Sequence, residues 1–325
     1  MAYLLTAAGL VLLLLGGTCL VRGASQLARG FNVSPMMIGL TVVAFGTSTP
    51  ELVVNVTGAL KGQTDLAFGN AIGSNLANFG LVLGVAAVMS PIYLQGQVVR
   101  REVPFLLLIT AILLVMVWDE PLTGHAAMLD RADAIILFLL FTVFVYFTVR
   151  DVTREQEDPL TREAEAFTPD AADRKGGIFI DLGLMAAGIG MLVYGGNLTI
   201  EQGSAIARLW GVPEVVVGMF VVAVGTSLPE LVTSGIAALK KETDLALGNI
   251  VGSNIFNSLV VLPAAGIIKP LPVPAGGNLD LMVGFAFVLA VIPLFFFSNA
   301  RLGRSAGIGI VACYFGYMVY RLMAS

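Results

Sequence analysis

The chain has 325 residues, of which 57% are hydrophobic and 12% charged, whereas a soluble domain carries about 45–50% apolar and about 25% charged residues. A mean hydropathy of +0.89 leaves too little polar surface to clothe a water-soluble globule, which excludes a soluble enzyme. The net charge of −4 and the scattered Lys and Arg residues exclude nucleic-acid binding, which needs clustered basic groups against phosphates.

A membrane span needs about 20 mostly apolar residues. By that ruler the sequence predicts ten spans, near 2–22, 36–59, 65–89, 104–118, 131–150, 177–207, 214–238, 244–268, 279–298 and 304–322. No positive residue precedes the first, so it is read as a span kept in the mature protein rather than a cleaved signal. Cys19 and Cys313 lie in apolar stretches and are read as small core residues, while His125, the lone histidine, sits in a polar connection. No histidine-based metal site or His-assisted nucleophile can be built from that inventory. Thirteen Lys and Arg residues fall in the odd-numbered connections and five on the opposite side, which assigns the odd connections to the cytoplasm. Both termini are then outside, and the polar stretch 151–176 is a cytoplasmic linker.

That linker divides two copies of one pattern. Position n matches position n + 179 without a gap from Gly16/Gly195 to Leu83/Leu262, and 26 of the 45 pairs between 39 and 83 are identical. The core is Gly46-Thr47-Ser48-Thr49-Pro50-Glu51-Leu52 against Gly225-Thr226-Ser227-Leu228-Pro229-Glu230-Leu231. It is followed by Gly69-Asn70, Gly73-Ser74-Asn75 and Asn78 against Gly248-Asn249, Gly252-Ser253-Asn254 and Asn257. Five spans per copy is an odd number, so the second copy enters the membrane from the other side. The predicted fold is an all-α integral membrane protein of ten transmembrane helices in two inverted five-helix repeats, 1–150 with its ion motif at 39–83 and 177–325 with its ion motif at 218–262.

Of 22 acidic residues, only Glu51 and Glu230 sit in the middle of strongly apolar spans. A charge there costs roughly 2.5–3.5 kcal/mol on insertion scales, and a bound cation would offset it. Each glutamate follows Gly-Thr-Ser-x-Pro, and proline removes an amide donor, so the helix is expected to open at Gly46 and Gly225 and free carbonyls near Thr47 and Thr226. Ser48, Ser227, Ser74, Ser253, Asn78 and Asn257 add neutral oxygens. Ser74 and Asn78 are four apart, as are Ser253 and Asn257, so each pair shares a helix face. An inventory of oxygens alone disfavours zinc and copper and suffices for calcium, which takes 6–8 of them. Gly69, Gly73, Gly248 and Gly252 are read as packing glycines that bring the ligand-bearing helices close, and Asp65 and Asp244 as helix N-caps.

These residues resemble the two alpha repeats of the calcium/cation antiporter superfamily, and the pattern is similar to its bacterial sodium/calcium exchanger branch. The resemblance implies a cell inner-membrane secondary antiporter that exchanges calcium for sodium, with spans one and six sliding past a central four-helix core. It carries the family's ion-ligand positions onto Ala44, Thr47, Ser48, Glu51, Ser74 and Asn78, and onto Ala223, Thr226, Ser227, Glu230, Ser253 and Asn257. The backbone carbonyls of Ala44, Thr47, Ala223 and Thr226 are the implied backbone ligands. Asn257 departs from family members that have an aspartate there. Calcium and sodium ions are the implied partners, beside the lipid bilayer, with a proton/calcium or a potassium-dependent antiporter as the runner-up readings. The residues imply no cofactor, no obligatory protein partner and no enzymatic chemistry. A cation channel lined by the same oxygens is the reading from another class, and paired helix breaks in an inverted repeat favour a carrier over it.

Overall fold

A computed structural model describes residues 1–31, 33–93, 97–118, 124, 126–157, 177–210, 223–293 and 301–324. It is built almost wholly of helices. The first half runs α1 (Ala2–Gly30), α2 (Pro35–Ile38), a π-helical turn (Gly39–Val43), α3 (Ala44–Thr47), α4 (Thr49–Leu60), α5 (Thr64–Ala77), a second π turn (Asn78–Val82), α6 (Leu83–Met89), β1 (Ile92–Tyr93), α7 (Gln97–Met116), β2 (Met128–Leu129) and α8 (Arg131–Glu157). The second half runs α9 (Gly177–Leu209), α10 (Ala223–Thr226), α11 (Leu228–Leu239), α12 (Thr243–Phe256), a third π turn (Asn257–Val261), α13 (Leu262–Ile268), β3 (Leu271–Pro272), α14 (Gly277–Val291), β4 (Arg301–Leu302) and α15 (Arg304–Ala324).

Among the described residues six helical stretches are long and apolar enough to cross a membrane, and a seventh crossing results if the bent pair Pro35–Thr47 and Thr49–Leu60 is one span. Helices also occupy the described parts of the expected spans at 104–118, 214–238 and 279–298. There the apolar run of α7 is shortened by Arg100, Arg101 and Glu102 at its start, while α11 and α14 are shorter helices. In Thr64–Met89 and Thr243–Ile268 the apolar window is 72% and 83% buried, against 17–33% in the other four. These two are therefore the centre of the molecule, and α1, α8, α9 and α15 turn apolar faces such as Leu4, Leu14, Phe179 and Ile308 outward, as a lipid-facing shell does.

The described elements repeat at the sequence offset of 179. The pairs α3/α10, α4/α11, α5/α12, α6/α13 and β1/β3, with the π turns at Asn78 and Asn257, all coincide residue for residue. The strand pairs exchange between halves: β1 pairs antiparallel with β4, Ile92 opposite Leu302, and β3 pairs with β2, Leu271 opposite Leu129. Helices α1 and α9 run antiparallel and nearly touch at their backbones. A Cβ added at Gly16 would lie 2.8 Å from the Gly188 carbonyl oxygen, and one at Gly195 would lie 2.8 Å from that of Gly9. Only glycine permits that approach. The Gly9/Gly195 contact is the Gly188/Gly16 contact with the halves interchanged, since each residue maps onto its counterpart at the offset.

Several expectations need correction. The span-five helix continues to Glu157, so the first seven residues of the expected linker are helical. Asp-Val-Thr-Arg-Glu-Gln-Glu contains no breaker, and Pro159 is the first one reached. The rest of the linker lies outside the described residues, as does His125. Cys313 is exposed and Cys19 half-buried. An apolar stretch does not distinguish core from lipid-facing positions, because lipid tails are as apolar as a core. Gln63 and Glu242, not the aspartates, are the N-cap residues of α5 and α12, and neither makes a side-chain cap; Asp65 and Asp244 lie in the first turn, where their charge complements the helix dipole.

Candidate ion-binding site

The GTSxPE segments fold as two helices separated by one residue. Helix α3 ends at Thr47 and α4 starts at Thr49, with a 43° bend between the halves. Ser48 at the break has φ −86° and ψ 9°, and Ser227 has φ −87° and ψ 6°. The break therefore falls at Ser48 and Ser227 rather than at Gly46 and Gly225. The Ser48 amide still donates to the Ala44 carbonyl at 3.0 Å, which holds α3 together to Thr47. Pro50 and Pro229 occupy the opening turn of the following helix, where a missing amide hydrogen is least felt.

This geometry gives the glutamates a favourable electrostatic address. Glu51 and Glu230 lie in the first turns of α4 and α11, so each carboxylate sits at the positive end of a helix dipole, while the negative end of the preceding short helix meets it across the break. Both glutamates are fully buried, as are Ala44, Thr47, Ser48, Ser74, Asn78, Thr226, Ser227, Ser253 and Asn257. Ala223 belongs to α10, whose carbonyl end abuts the Ser227 break.

Contacts between the halves gather these residues. The Ser48 hydroxyl donates to Glu230 Oε1 at 2.8 Å, linking the break of one half to the carboxylate of the other. Ser74 Oγ lies 3.4 Å from Glu51 Oε1 and 3.4 Å from Thr226 Oγ1. The π turn beginning at Asn78 packs against α11, and the one beginning at Asn257 packs against α4. Each asparagine thus approaches the helix that carries the other half's glutamate. A π turn inserts an extra residue into the helical repeat and re-aims the side chain at its start, a device frequent at functional sites.

What marks the cluster as a ligand site is what its atoms lack. Among the described residues no hydrogen-bond partner is found for Glu51 Oε2, Glu230 Oε2, the Ser227 and Ser253 hydroxyls, or the side-chain oxygens of Asn78 and Asn257. Buried polar atoms are satisfied in the great majority of cases. Six sites of unmet oxygen in one buried cluster, two of them carboxylate, call for a cation. The described residues hold no group of three or more His, Cys, Asp and Glu side chains suited to a metal; what the cluster could offer a cation is two carboxylates with neutral oxygens.

The packing glycines behave as expected where their partners are described. A Cβ at Gly252 would lie 2.7 Å from Ala44 Cβ, and one at Gly248 would lie 2.9 Å from the Leu40 amide. No described atom lies within 4 Å of a Cβ built at Gly69 or Gly73. The sequence reading missed one shell of residues. Asn249 accepts from Thr47 and donates to Ser234, and Asn70 donates to Asn55, whose own amide donates to the Ala67 carbonyl. The Gly-Asn step recurs in both halves, and that recurrence was the available signal.

Comparison with known proteins decides the family. The model of the sodium/calcium exchanger protein family matches residues 1–150 and 180–323. The chain belongs to the sodium/calcium exchanger family. This exchanger is accordingly a multi-pass membrane protein of a family of cation/calcium antiporters. It is 37% identical over 324 residues to the putative antiporter CaxA of Alkalimonas amylolytica, covering 98% of this chain and 97% of that one. It is 34% identical to the inner membrane protein YrbG of Escherichia coli, covering 99% and 96%. Its fold is similar to that of the sodium-calcium exchanger NCX_Mj soaked with 10 mM sodium and no calcium, with a TM-score of 0.83, 29% identity and 98% of each chain covered.

Proposed function

We propose that this exchanger is a secondary antiporter that extrudes calcium across the cytoplasmic membrane in exchange for sodium. It alternates access around one central site built on Glu51 and Glu230. The observation that carries the reading is the buried set of unpartnered oxygens on Glu51, Glu230, Asn78, Asn257, Ser227 and Ser253. The architecture proposed is ten spans in two inverted five-helix repeats, with both termini outside and the linker in the cytoplasm. The offset of 179 shared by the described elements supports it, as does the antiparallel exchange of glycine contacts between α1 and α9. The names of relatives, among them the sodium/calcium exchanger MaX1 of Methanosarcina acetivorans, support calcium and sodium as the ions.

Antiport follows from competition for the same carboxylates. One calcium or two sodium ions neutralise Glu51 and Glu230, whereas the bare pair carries two charges that the apolar core opposes. The site crosses when filled and stays put when empty, which makes exchange obligatory. Two protons would neutralise the pair equally well. The neutral, buried Asn257 in place of an aspartate keeps the formal charge at two, and this favours proton/calcium exchange as the second reading.

Radioactive calcium uptake into sodium-loaded proteoliposomes diluted into sodium-free medium tests the proposal. Uptake that requires the outward sodium gradient and is lost in Glu230→Gln supports it. Uptake that follows an imposed proton gradient and ignores sodium moves the protein to the second reading, and current without counter-transport would make it a channel.

A further inference from the structure

Thr47 stands at the C-terminal end of α3, and its hydroxyl has a single proton to donate. Two acceptors lie within hydrogen-bond distance of it, the Ala44 carbonyl oxygen at 3.3 Å and Asn249 Oδ1 at 3.1 Å, and the Glu230 carboxylate also interacts with it. The Ala44 carbonyl already accepts the Ser48 amide at 3.0 Å, so one of its two lone pairs is committed. The second lone pair can take either the Thr47 proton or a cation. Which one it takes depends on Asn249, a fully buried residue of the other half. The amide of Asn249 is oriented by Nδ2 donating to Ser234 Oγ at 2.9 Å, which turns Oδ1 toward Thr47.

We propose that Asn249 is a positioning residue that draws the Thr47 proton off the Ala44 carbonyl and so keeps that oxygen available to the transported ion. The inference rests on the reading above, in which the Ala44 carbonyl is an ion ligand. Without Asn249, the hydroxyl is shared between the Ala44 carbonyl and the Glu230 carboxylate, and an ion arriving at Ala44 must displace a hydrogen bond. The counterpart asparagine of the first half is held in the same way, by a residue fifteen positions earlier. Asn70 donates to Asn55 at 2.7 Å, and Thr226 Oγ1 faces the Ser74 hydroxyl at 3.4 Å. The device described here acts on the Ala44 carbonyl. It acts most on an ion held by carbonyls and least on one held by the carboxylates.

The test is sodium-driven calcium uptake in proteoliposomes with internal sodium and external calcium varied, for wild type, Asn249→Ala, and Asn249→Ala combined with Thr47→Val. Valine keeps the backbone carbonyl and the side-chain shape but has no proton to place on Ala44. The single variant is expected to raise the sodium half-saturation about fivefold, the factor set by one neutral hydrogen bond, and to move the calcium half-saturation less. The double variant is expected to recover most of that loss. A merely structural role for Asn249 predicts the reverse, a double variant no better than the single one, and that result overturns the proposal. So does an unchanged sodium half-saturation in Asn249→Ala. If Asn249→Ala fails to elute as a monodisperse species, Ser234→Ala, which only frees the amide to rotate, carries the same comparison, and the rescue by Thr47→Val must hold there too. Wild-type vesicles that ignore sodium would refute the sodium reading and not this inference. The same variants are then scored on calcium half-saturation in calcium/calcium exchange, where rescue or its absence decides.

Discussion

The two ion-motif regions, 39–83 and 218–262, share 26 of 45 residues, yet their hydrogen bonds differ in two distinct ways. Some differences arise between identical residues. Ser48 donates to the opposite glutamate at 2.8 Å, while its counterpart Ser227 has no partner among the described residues. The side chains and their local helices are the same, so these differences come from how the halves are placed against each other. Other differences are written in the chain: Asn55 stands against Ser234, and Gln63 against Glu242. For the carrier proposed here, the first kind should invert when the opposite face opens, and the second kind should persist.

The most severe way to break the comparison is to remove a charge the two halves share. Glu51→Gln and Glu230→Gln should each abolish calcium uptake, with a loss on the order of 100-fold or more, because breaking a buried charged group from its partner costs about 3–5 kcal/mol. Full activity in either variant would mean that the two halves do not form one site. Sharper still is the serine pair. Ser48→Ala removes a hydrogen bond to a carboxylate, worth about 1.5–3 kcal/mol, and should raise the calcium half-saturation roughly tenfold on one face of oriented vesicles. Ser227→Ala should do so on the other face. Equal shifts on both faces would show that the asymmetry at these serines does not track the transport cycle.

The glycines come next. Gly252→Ala places a methyl group 2.7 Å from Ala44 Cβ, in a contact between α12 and α3 that neither helix can widen without disturbing the site. Overpacking of this kind costs about 1–3 kcal/mol, read as a lower midpoint of thermal unfolding in detergent. Gly303, around which a Cβ would meet open space, is the control and should show no such shift.

Much of this was legible in the sequence because duplication made each motif its own control. A lone Glu51 in an apolar span could be an accident, but Glu51 and Glu230 at one offset, each followed by Gly-Ser-Asn, could not. The helices were legible for a simpler reason: in a bilayer every backbone polar group must be satisfied within the segment, so an apolar run of sufficient length has one solution. What escaped was tertiary. Proline predicted an opening four residues upstream, at Gly46, yet the Ser48 amide closes that turn onto Ala44 and moves the break to Ser48. Nothing in the local sequence announces the π turns at Asn78 and Asn257. Asn249 and Thr47 are 202 residues apart, and which of two acceptors a hydroxyl chooses is set by a helix from the other half. The exposure of Cys313 was illegible because the lipid-facing surface and the protein core share one composition.

The smallest expected effect tests the difference that is written in the chain. Arg29, at the end of α1, reaches Glu242 in the turn between α11 and α12 at 2.9 Å, with side chains 67% and 22% exposed. The counterpart of Glu242 is Gln63, which is neutral, so the mirrored contact with Arg208 cannot be an ion pair. If α1 slides against the core during transport, this pair must break in one direction and has no equivalent to form in the other. Being exposed, it is worth at most about 1 kcal/mol, a factor of about five in the ratio of the two conformations. Glu242→Gln should shift the ratio of calcium half-saturations at the two faces by up to that factor, and Gln63→Glu should shift it the opposite way. Both shifts should fade in about 1 M salt, where the screening length falls to about 3 Å. A ratio that moves equally at low and high salt would assign the effect to packing around the α11–α12 turn, because salt weakens an exposed ion pair and leaves apolar packing in place.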